Sequence, residues 1–202
     1  MLNYSNAITE EKSYSGLKMK EVKPIMKLIL RGKKREFLSA VGKSLNLILP
    51  AEANTFTKSD KLTALWLSPD EWMIFSNEVS HIGSDDYQTA NLLNKSVCKT
   101  NLGAVTDVTD QFVLINLKGD KIYELFETGS PFNFNDFRKK KASVTQTILA
   151  KIDVIIQNES QNDVNLFVRR SFSHHLFSWM NDSASRLSVS YTHLTLPTIY
   201  SV

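Results

Sequence analysis

The stretch that decides the fold runs from Ala104 to Pro131 and reads AVTDVTDQFVLINLKGDKIYELFETGSP. Within it, Val105–Leu117 has apolar residues on both faces of an extended chain, which predicts a central strand that is buried on both sides. After Gly119, apolar residues recur at helical spacing until Gly129, where the helix is expected to end. A buried strand followed by an amphipathic helix is therefore the first structural unit that the sequence indicates.

The rest of the chain repeats this rhythm on either side of that stretch. Upstream we expect, in order, a strand at 25–30, a helix whose apolar face runs from Phe37 to Leu45, strands within 46–56 and 61–76 with a break at Pro69, and a helix capped at 84–86 that ends near Lys95. Downstream we expect strands at 143–157 and 163–168 around a polar turn, and a last helix capped by Ser171 or Ser173.

These alternations predict an α+β protein of two tandem ferredoxin-like units, each a split β-α-β arrangement with helices packed on an antiparallel sheet. The first unit is assigned to residues 21–103 and the second to residues 104–187. Residues 1–20 are polar and carry no sustained period, so we expect a flexible leader or an arm that docks elsewhere.

Residues 188–202 read SVSYTHLTLPTIYSV and contain no Lys, Arg, Asp or Glu, unlike the chain before them. The string resembles the translated read-through of a cloning adapter, so we expect a non-native tail after a native chain that ends near Leu187. The alternative is a genuine terminal strand, because residues 191–196 alternate between polar and apolar.

Composition places the chain among folded globular proteins, since 42% of its 202 residues are apolar and only seven are Gly and five Pro. The formal charge of +3 gives no strong field to attract nucleic acid or an anionic membrane. The single Cys98 excludes an intrachain disulfide. With no visible targeting or membrane-spanning segment, we expect a cytoplasmic protein.

The sequence carries no motif for a self-contained active site. It has neither GxGxxG nor GxxxxGK[ST] for phosphate binding, and no GxSxG for a nucleophile. The candidate metal ligands His81, His174 and His175 lack the spacing of a metal site. Cys98 stands outside any motif, so it is interpreted as a small buried or idle residue. We therefore predict no catalytic, cofactor or metal residues on this chain.

Two further clusters have a structural and a functional interpretation. Asp107 and Asp110 lie three apart in an extended segment and face opposite sides, which favours strand-end hydrogen bonding over a carboxylate pair. The basic run Arg138–Lys141 would suit an anionic partner, but a short run beside a strand is more typical of a solvated loop.

Four segments resemble, in order, motifs of a known family. They are LSPDEWMI at 67–74, AVTDVTDQFVLINLKG at 104–119, LFETGSPFNF at 125–134, and LFVRRSF at 166–172 with LFSWM at 176–180. The family is that of the gamma subunit of heterotetrameric sarcosine oxidase. The resemblance implies a fold related to the folate-binding domain of aminomethyltransferases, which agrees with the duplicated α+β pattern.

The resemblance also implies a function. Such a bacterial complex demethylates sarcosine oxidatively to glycine and passes the one-carbon unit to tetrahydrofolate. FAD, FMN and NAD would lie on the alpha and beta subunits and zinc on the delta subunit, while gamma would be structural and not catalytic alone. The alternatives are a stand-alone folate-binding protein of the aminomethyltransferase type and a scaffold of another flavin amine dehydrogenase complex.

Interface cores are enriched in Trp, Arg and other aromatic residues, which suggests where such a subunit would contact its partners. The candidates are Trp72, Arg169, Arg170, Phe172 and Trp179. The alternative for the two Trp residues is a place in the core, and for the arginines it is surface ion pairing.

Overall fold

The computed structural model describes residues 6–77 and 87–188. Its strands are β1 (Lys12–Tyr14), β2 (Leu17–Glu21), β3 (Lys27–Arg31), β4 (Phe56–Lys58), β5 (Leu62–Ser68), β6 (Glu71–Ser76), β7 (Ala104–Asp107), β8 (Phe112–Lys118), β9 (Ser143–Leu149), β10 (Ile152–Ser160) and β11 (Asp163–Arg169). Its α-helices are α1 (Arg35–Leu45), α2 (Tyr87–Leu93), α3 (Ile122–Glu127), α4 (Phe134–Phe137) and α5 (Arg170–Ser188). A π-helical turn, Asn94–Cys98, continues α2.

The strands form two antiparallel sheets. The first is six-stranded in the order β1-β2-β8-β11-β10-β9, and the second is five-stranded in the order β4-β5-β6-β3-β7. The helices lie against these sheets, so the predicted α+β class is confirmed. No helix of the described ranges is long and apolar enough to cross a membrane.

The core consists of three apolar layers. One lies between the six-stranded sheet and helices α3, α4 and α5, and another between the five-stranded sheet and α1 with the α2 region. The third joins the two sheets face to face, with Phe75 of one sheet 5.1 Å from Phe167 of the other between ring centroids. The resulting order is helix, sheet, sheet, helix, which buries both faces of each sheet.

Strand β8 confirms the buried strand of the opening stretch, but the strand is shorter than predicted. Val113 and Ile115 face the helices, while Leu114 faces the other sheet. Residues 108–111 interrupt the extended chain, and the preceding β7 pairs with β3 in the five-stranded sheet. The prediction of one strand over 105–117 was wrong because the chain passes there from one sheet to the other.

Two other strand predictions were wrong for local reasons. The segment 143–157 is two strands, since Ala150 and Lys151 adopt positive φ values of 51° and 66° and turn the chain between β9 and β10. No strand occupies 46–55, where the Pro50 carbonyl accepts a hydrogen bond from the Trp72 indole instead of a neighbouring strand. Side chains and single main-chain hydrogen bonds, rather than a continuous ladder, hold that segment.

The ends of the predicted units also differ from the structure. Residues 12–20, assigned to a leader, contribute β1 and β2, and β2 pairs with β8 because Leu17 and Met19 alternate into the core. Strand β7 begins directly after the predicted boundary at residue 103, but it pairs with β3 of the first predicted unit. Sheet membership is thus exchanged between the two halves.

The predicted helix caps have different outcomes. Helix α5 begins at Arg170, and Ser173 lies buried inside it, where its hydroxyl donates to the Arg170 carbonyl, so a serine cap was wrong. The predicted cap at 84–86 and nearly all of the tail at 188–202 lie outside the described residues.

Candidate functional site

A buried lysine lies where the chain crosses between the two sheets. The Lys27 side chain is only 3% exposed at the start of β3. Its ammonium group donates to the carbonyl of Ile25 at 3.0 Å and to that of Thr109 at 3.1 Å. A buried cation is costly unless it is hydrogen-bonded, so these two carbonyls are what makes its position tolerable.

The electrostatic surroundings of Lys27 act in both directions. Burial lowers the pKa of its ammonium group from 10.5 to about 8, and the positive charge of Arg170 lowers the pKa further. The carboxylates of Asp110, Glu21 and Asp107 oppose that effect and raise the pKa. The lysine thus lies inside a cluster of charges contributed by both sheets.

Lys27 also shapes the loop 108–111 through its main chain. Its carbonyl accepts from Val108 N at 2.9 Å, and its N–H donates to the Thr109 hydroxyl at 3.0 Å. Asp107 Oδ1 accepts from Thr109 N at 2.9 Å. The predicted hydrogen-bonding role at a strand end is therefore confirmed for Asp107. We call Lys27 with loop 108–111 the lysine latch.

The lysine latch holds the junction of β11 and α5. The Gln111 carbonyl accepts from Arg170 N at 2.8 Å, so the first residue of α5 is tied to the loop. Around this point Arg169 is exposed, Arg170 is half-buried, and Phe172 is 49% exposed. Three of the predicted contact residues therefore lie together, and we call Arg169, Arg170 and Phe172 the junction surface.

The two tryptophans lie elsewhere and are packed against the chain itself. Trp72 is 4% exposed and donates its indole N–H to the Pro50 carbonyl at 2.9 Å, and its ring centroid lies 5.8 Å from that of Phe37. Trp179 is half-buried on α5, and its ring lies so close to Gly129 that a Cβ there would approach it to 2.4 Å. Both tryptophans therefore pack within the chain, which is the alternative that the sequence analysis gave for them.

Sequence reasoning missed two residues at or near this site. Lys27 was visible as the one charge inside the apolar run PIMKLIL, the signal of a charged side chain on a buried strand. The second residue is Ile148, which is 40% exposed. It pairs with Asp153, at the same end of the six-stranded sheet as Arg169. Ile148 was hidden because the turn at 150–151 was not predicted.

In residues 6–77 and 87–188, no three His, Cys, Asp or Glu side chains are grouped to hold a metal ion. His174 and His175 are exposed on α5, Cys98 is half-buried, and His81 lies outside the described ranges. A groove of about 200 Å³ lies between the N-terminal segment and α5, lined among others by Ile8, Lys12 and His174.

One protein-family model matches most of the chain. The model of the sarcosine oxidase gamma subunit family matches residues 32–186. The structure is similar to a chain of heterotetrameric sarcosine oxidase from Corynebacterium sp. U-96 in complex with pyrrole 2-carboxylate, with 20% identity, a TM-score of 0.78 and coverage of 90% of both chains. A search of the curated proteins found no significant match.

A second structure supports the implied fold. Glycine cleavage system aminomethyltransferase T from Bartonella henselae is similar over 84% of this chain and 46% of its own length, with 14% identity and a TM-score of 0.57. The aminomethyltransferase-like fold expected from the sequence is confirmed. Since the family model spans most of the chain and includes all four motifs, this chain belongs to the sarcosine oxidase gamma subunit family.

Proposed function

We propose that this chain is a structural subunit of a heterotetrameric sarcosine oxidase and binds its partner subunits through the junction surface. Membership in the gamma subunit family carries the proposal. The partners would be the alpha, beta and delta subunits, assembled in the bacterial cytoplasm. The chain itself would not be catalytic.

The chemistry of the complex would lie on those partners. Oxidative demethylation of sarcosine to glycine passes two electrons to flavin and the one-carbon unit to tetrahydrofolate. We assign FAD, FMN and NAD to the alpha and beta subunits and zinc to delta. A role in assembly fits a chain whose described residues present exposed contact groups on a fixed backbone.

The junction surface has the features of an interface anchor. Arg169 forms no ion pair with any described residue, so its planar guanidinium is available for a bidentate contact with a carboxylate. Phe172 is 49% exposed on the first turn of α5. Aromatic residues and arginines of this kind provide most of the binding energy in many interfaces.

Co-expression with the alpha, beta and delta subunits tests the proposal. The variant Arg169→Ala/Phe172→Ala is expected to reduce the assembled fraction at least about tenfold, since a few anchor residues dominate interfaces. The matched control is Leu92→Ala/Lys95→Ala, which truncates an exposed apolar residue and an exposed cation of the α2 region. Thermal melting of each free chain separates lost contacts from lost folding.

Full assembly of the Arg169→Ala/Phe172→Ala variant would refute the junction surface as the interface. Failure of the unaltered chain to assemble with these subunits would refute the subunit role itself. In that case the fold similarity to an aminomethyltransferase favours the folate-binding alternative. Calorimetric titration of the lone chain with tetrahydrofolate distinguishes the folate-binding alternative from the subunit role. Only the folate-binding alternative requires the chain to bind tetrahydrofolate without partner subunits.

A further inference from the structure

The basic run Arg138–Lys141 is not used by the proposed interface. It forms the turn between α4 and β9, and Lys139, Lys140 and Lys141 are all exposed. The chain as a whole has a formal charge of +3, so without these four cations the remainder would be slightly acidic. We call residues 138–141 the basic turn.

Buried polar side chains fix the backbone of the basic turn. Asn158 is 1% exposed, and its side-chain amide donates to the carbonyls of Phe137 at 2.9 Å and Lys140 at 3.0 Å. Ser143 is 2% exposed, and its hydroxyl donates to the same Lys140 carbonyl at 2.8 Å. These hydrogen bonds hold the main chain of the basic turn in one conformation.

The five-stranded sheet holds the turn from its other side. The Ala142 carbonyl accepts from Phe56 N at 3.3 Å, and Val144 N donates to the Asn54 carbonyl at 2.8 Å. Ala142 itself has a positive φ of 53°. The cations are thus presented on a backbone anchored by both sheets, which lowers the ordering cost of binding.

The charges of the basic turn are poorly compensated by the described residues. Lys140 lies 3.6 Å from Glu52, but both side chains are largely exposed, so this pair is weak. Arg138 donates to the neutral side chain of Asn135 at 3.1 Å. Lys139 and Lys141 have no ion pair within the described ranges. At least three positive charges therefore remain available to a ligand.

We infer that the basic turn binds an acidic segment of a protein partner. A nucleic acid fits less well, because Phe134 and Phe137 beside the turn are buried and offer no stacking platform. The acidic side chains of Glu52 and Asp136 also flank the turn and would oppose a long phosphate backbone. A short carboxylate-bearing segment can engage the lysines between them.

This surface is independent of the junction surface. Asn158, which holds the basic turn, is five residues along β10 from Asp153, which lies at the end of the sheet nearest Arg169. At about 3.4 Å per residue, the two ends are about 17 Å apart. Binding at the basic turn therefore does not rest on the proposed function, and either can fail without the other.

The test uses the full chain and a short, fluorescein-labelled poly-L-glutamate peptide of six residues, and fluorescence anisotropy measures binding at low and moderate salt. Lys139→Glu/Lys141→Glu is expected to weaken binding at least about tenfold, since it replaces attraction by like-charge repulsion. The control Lys95→Glu/Lys99→Glu makes the same change of net charge on two exposed lysines, one within the π-helical turn Asn94–Cys98 and one directly after it. It is expected to bind within about twofold of the unaltered chain.

Equal loss of affinity in the two variants would overturn the inference, because binding would then follow net charge alone. Tighter binding of labelled oligo-dT than of poly-L-glutamate, lost in Lys139→Glu/Lys141→Glu, would also overturn it in favour of nucleic acid. Circular dichroism of both variants confirms folding. Exposed lysine substitutions leave the hydrogen bonds of Asn158 and Ser143 intact.

Discussion

The lysine latch and the basic turn show two ways in which a buried polar side chain fixes a surface segment. Lys27 uses a charged donor to hold loop 108–111, while Asn158 uses a neutral amide to hold residues 137–140. Each side chain donates to two main-chain carbonyls. The ammonium group of Lys27 loses its hydration as an ion when the chain folds, whereas the Asn158 amide carries no charge. Of these two side chains, therefore, only Lys27 makes the unfolding free energy depend on pH.

The largest expected effect on the unfolding free energy comes from removing the charge of Lys27. The pKa of Lys27 is about 8 in the folded chain and 10.5 in the unfolded one, so the unfolded chain binds more protons between these values. The contribution of Lys27 to the unfolding free energy is therefore complete above pH 10.5, and it declines as the pH falls to 8. Relative to Lys27→Met, the unfolding free energy should rise by up to about 3 kcal/mol over this window.

Urea unfolding of the unaltered chain and Lys27→Met at several pH values between 7 and 11 measures this difference. The matched control is Lys95→Met, because Lys95 is exposed. A constant difference between the unaltered chain and Lys27→Met across the window would contradict a desolvated ammonium group.

Removal of the neutral donor should have a smaller effect that does not vary with pH. Asn158→Ala leaves the carbonyls of Phe137 and Lys140 without this donor, and loss of buried hydrogen bonds of this kind costs about 2 kcal/mol. Chemical unfolding at two pH values gives both the size of the effect and its pH dependence. Gln161→Ala at an exposed position is the control, and an equally small loss in both variants would show that Asn158 does not hold the turn.

The smallest effect is expected at a buried polar group that holds nothing. The Tyr123 hydroxyl is buried without a hydrogen-bond partner among the described residues, and burial raises its pKa. Tyr123→Phe should leave stability unchanged or increase it by up to about 1 kcal/mol, because no hydrogen bond is lost. A thermal melt of this variant beside Phe126→Leu, which opens space in the same cluster, checks the sign. A clear decrease would indicate that the hydroxyl has a partner, such as a buried water.

The elements that local chemistry determines were predicted from the sequence. The break at Pro69 between β5 and β6, the apolar face of α1 and the end of α3 before Gly129 all follow from turn residues and helical spacing. The hairpin at Ala150 and Lys151 was missed, because neither residue is a usual signal for positive φ. The Ala150 N–H donates to the Gly129 carbonyl at 2.9 Å, so a contact with a distant segment helps to fix that turn.

The candidate site divides in a similar way. The sequence identified Arg169, Arg170 and Phe172 from residue type and the family resemblance, and the structure places them at one junction. It also selected Trp72 by type, although burial assigns that residue to the core. Exposure depends on which elements cover a residue, so residue type alone does not separate an interface anchor from a core residue.

The sequence by itself determined the α+β class, most of the helices and strands, and the family, because hydrophobic periodicity and short motifs are local properties. Only the tertiary structure decided that the sheets stack face to face, that β2 and β7 exchange sheets, and that Lys27 holds loop 108–111. Those features join residues far apart in the chain. They arise because each sheet must bury its second apolar face, and no local pattern specifies which distant face will cover it.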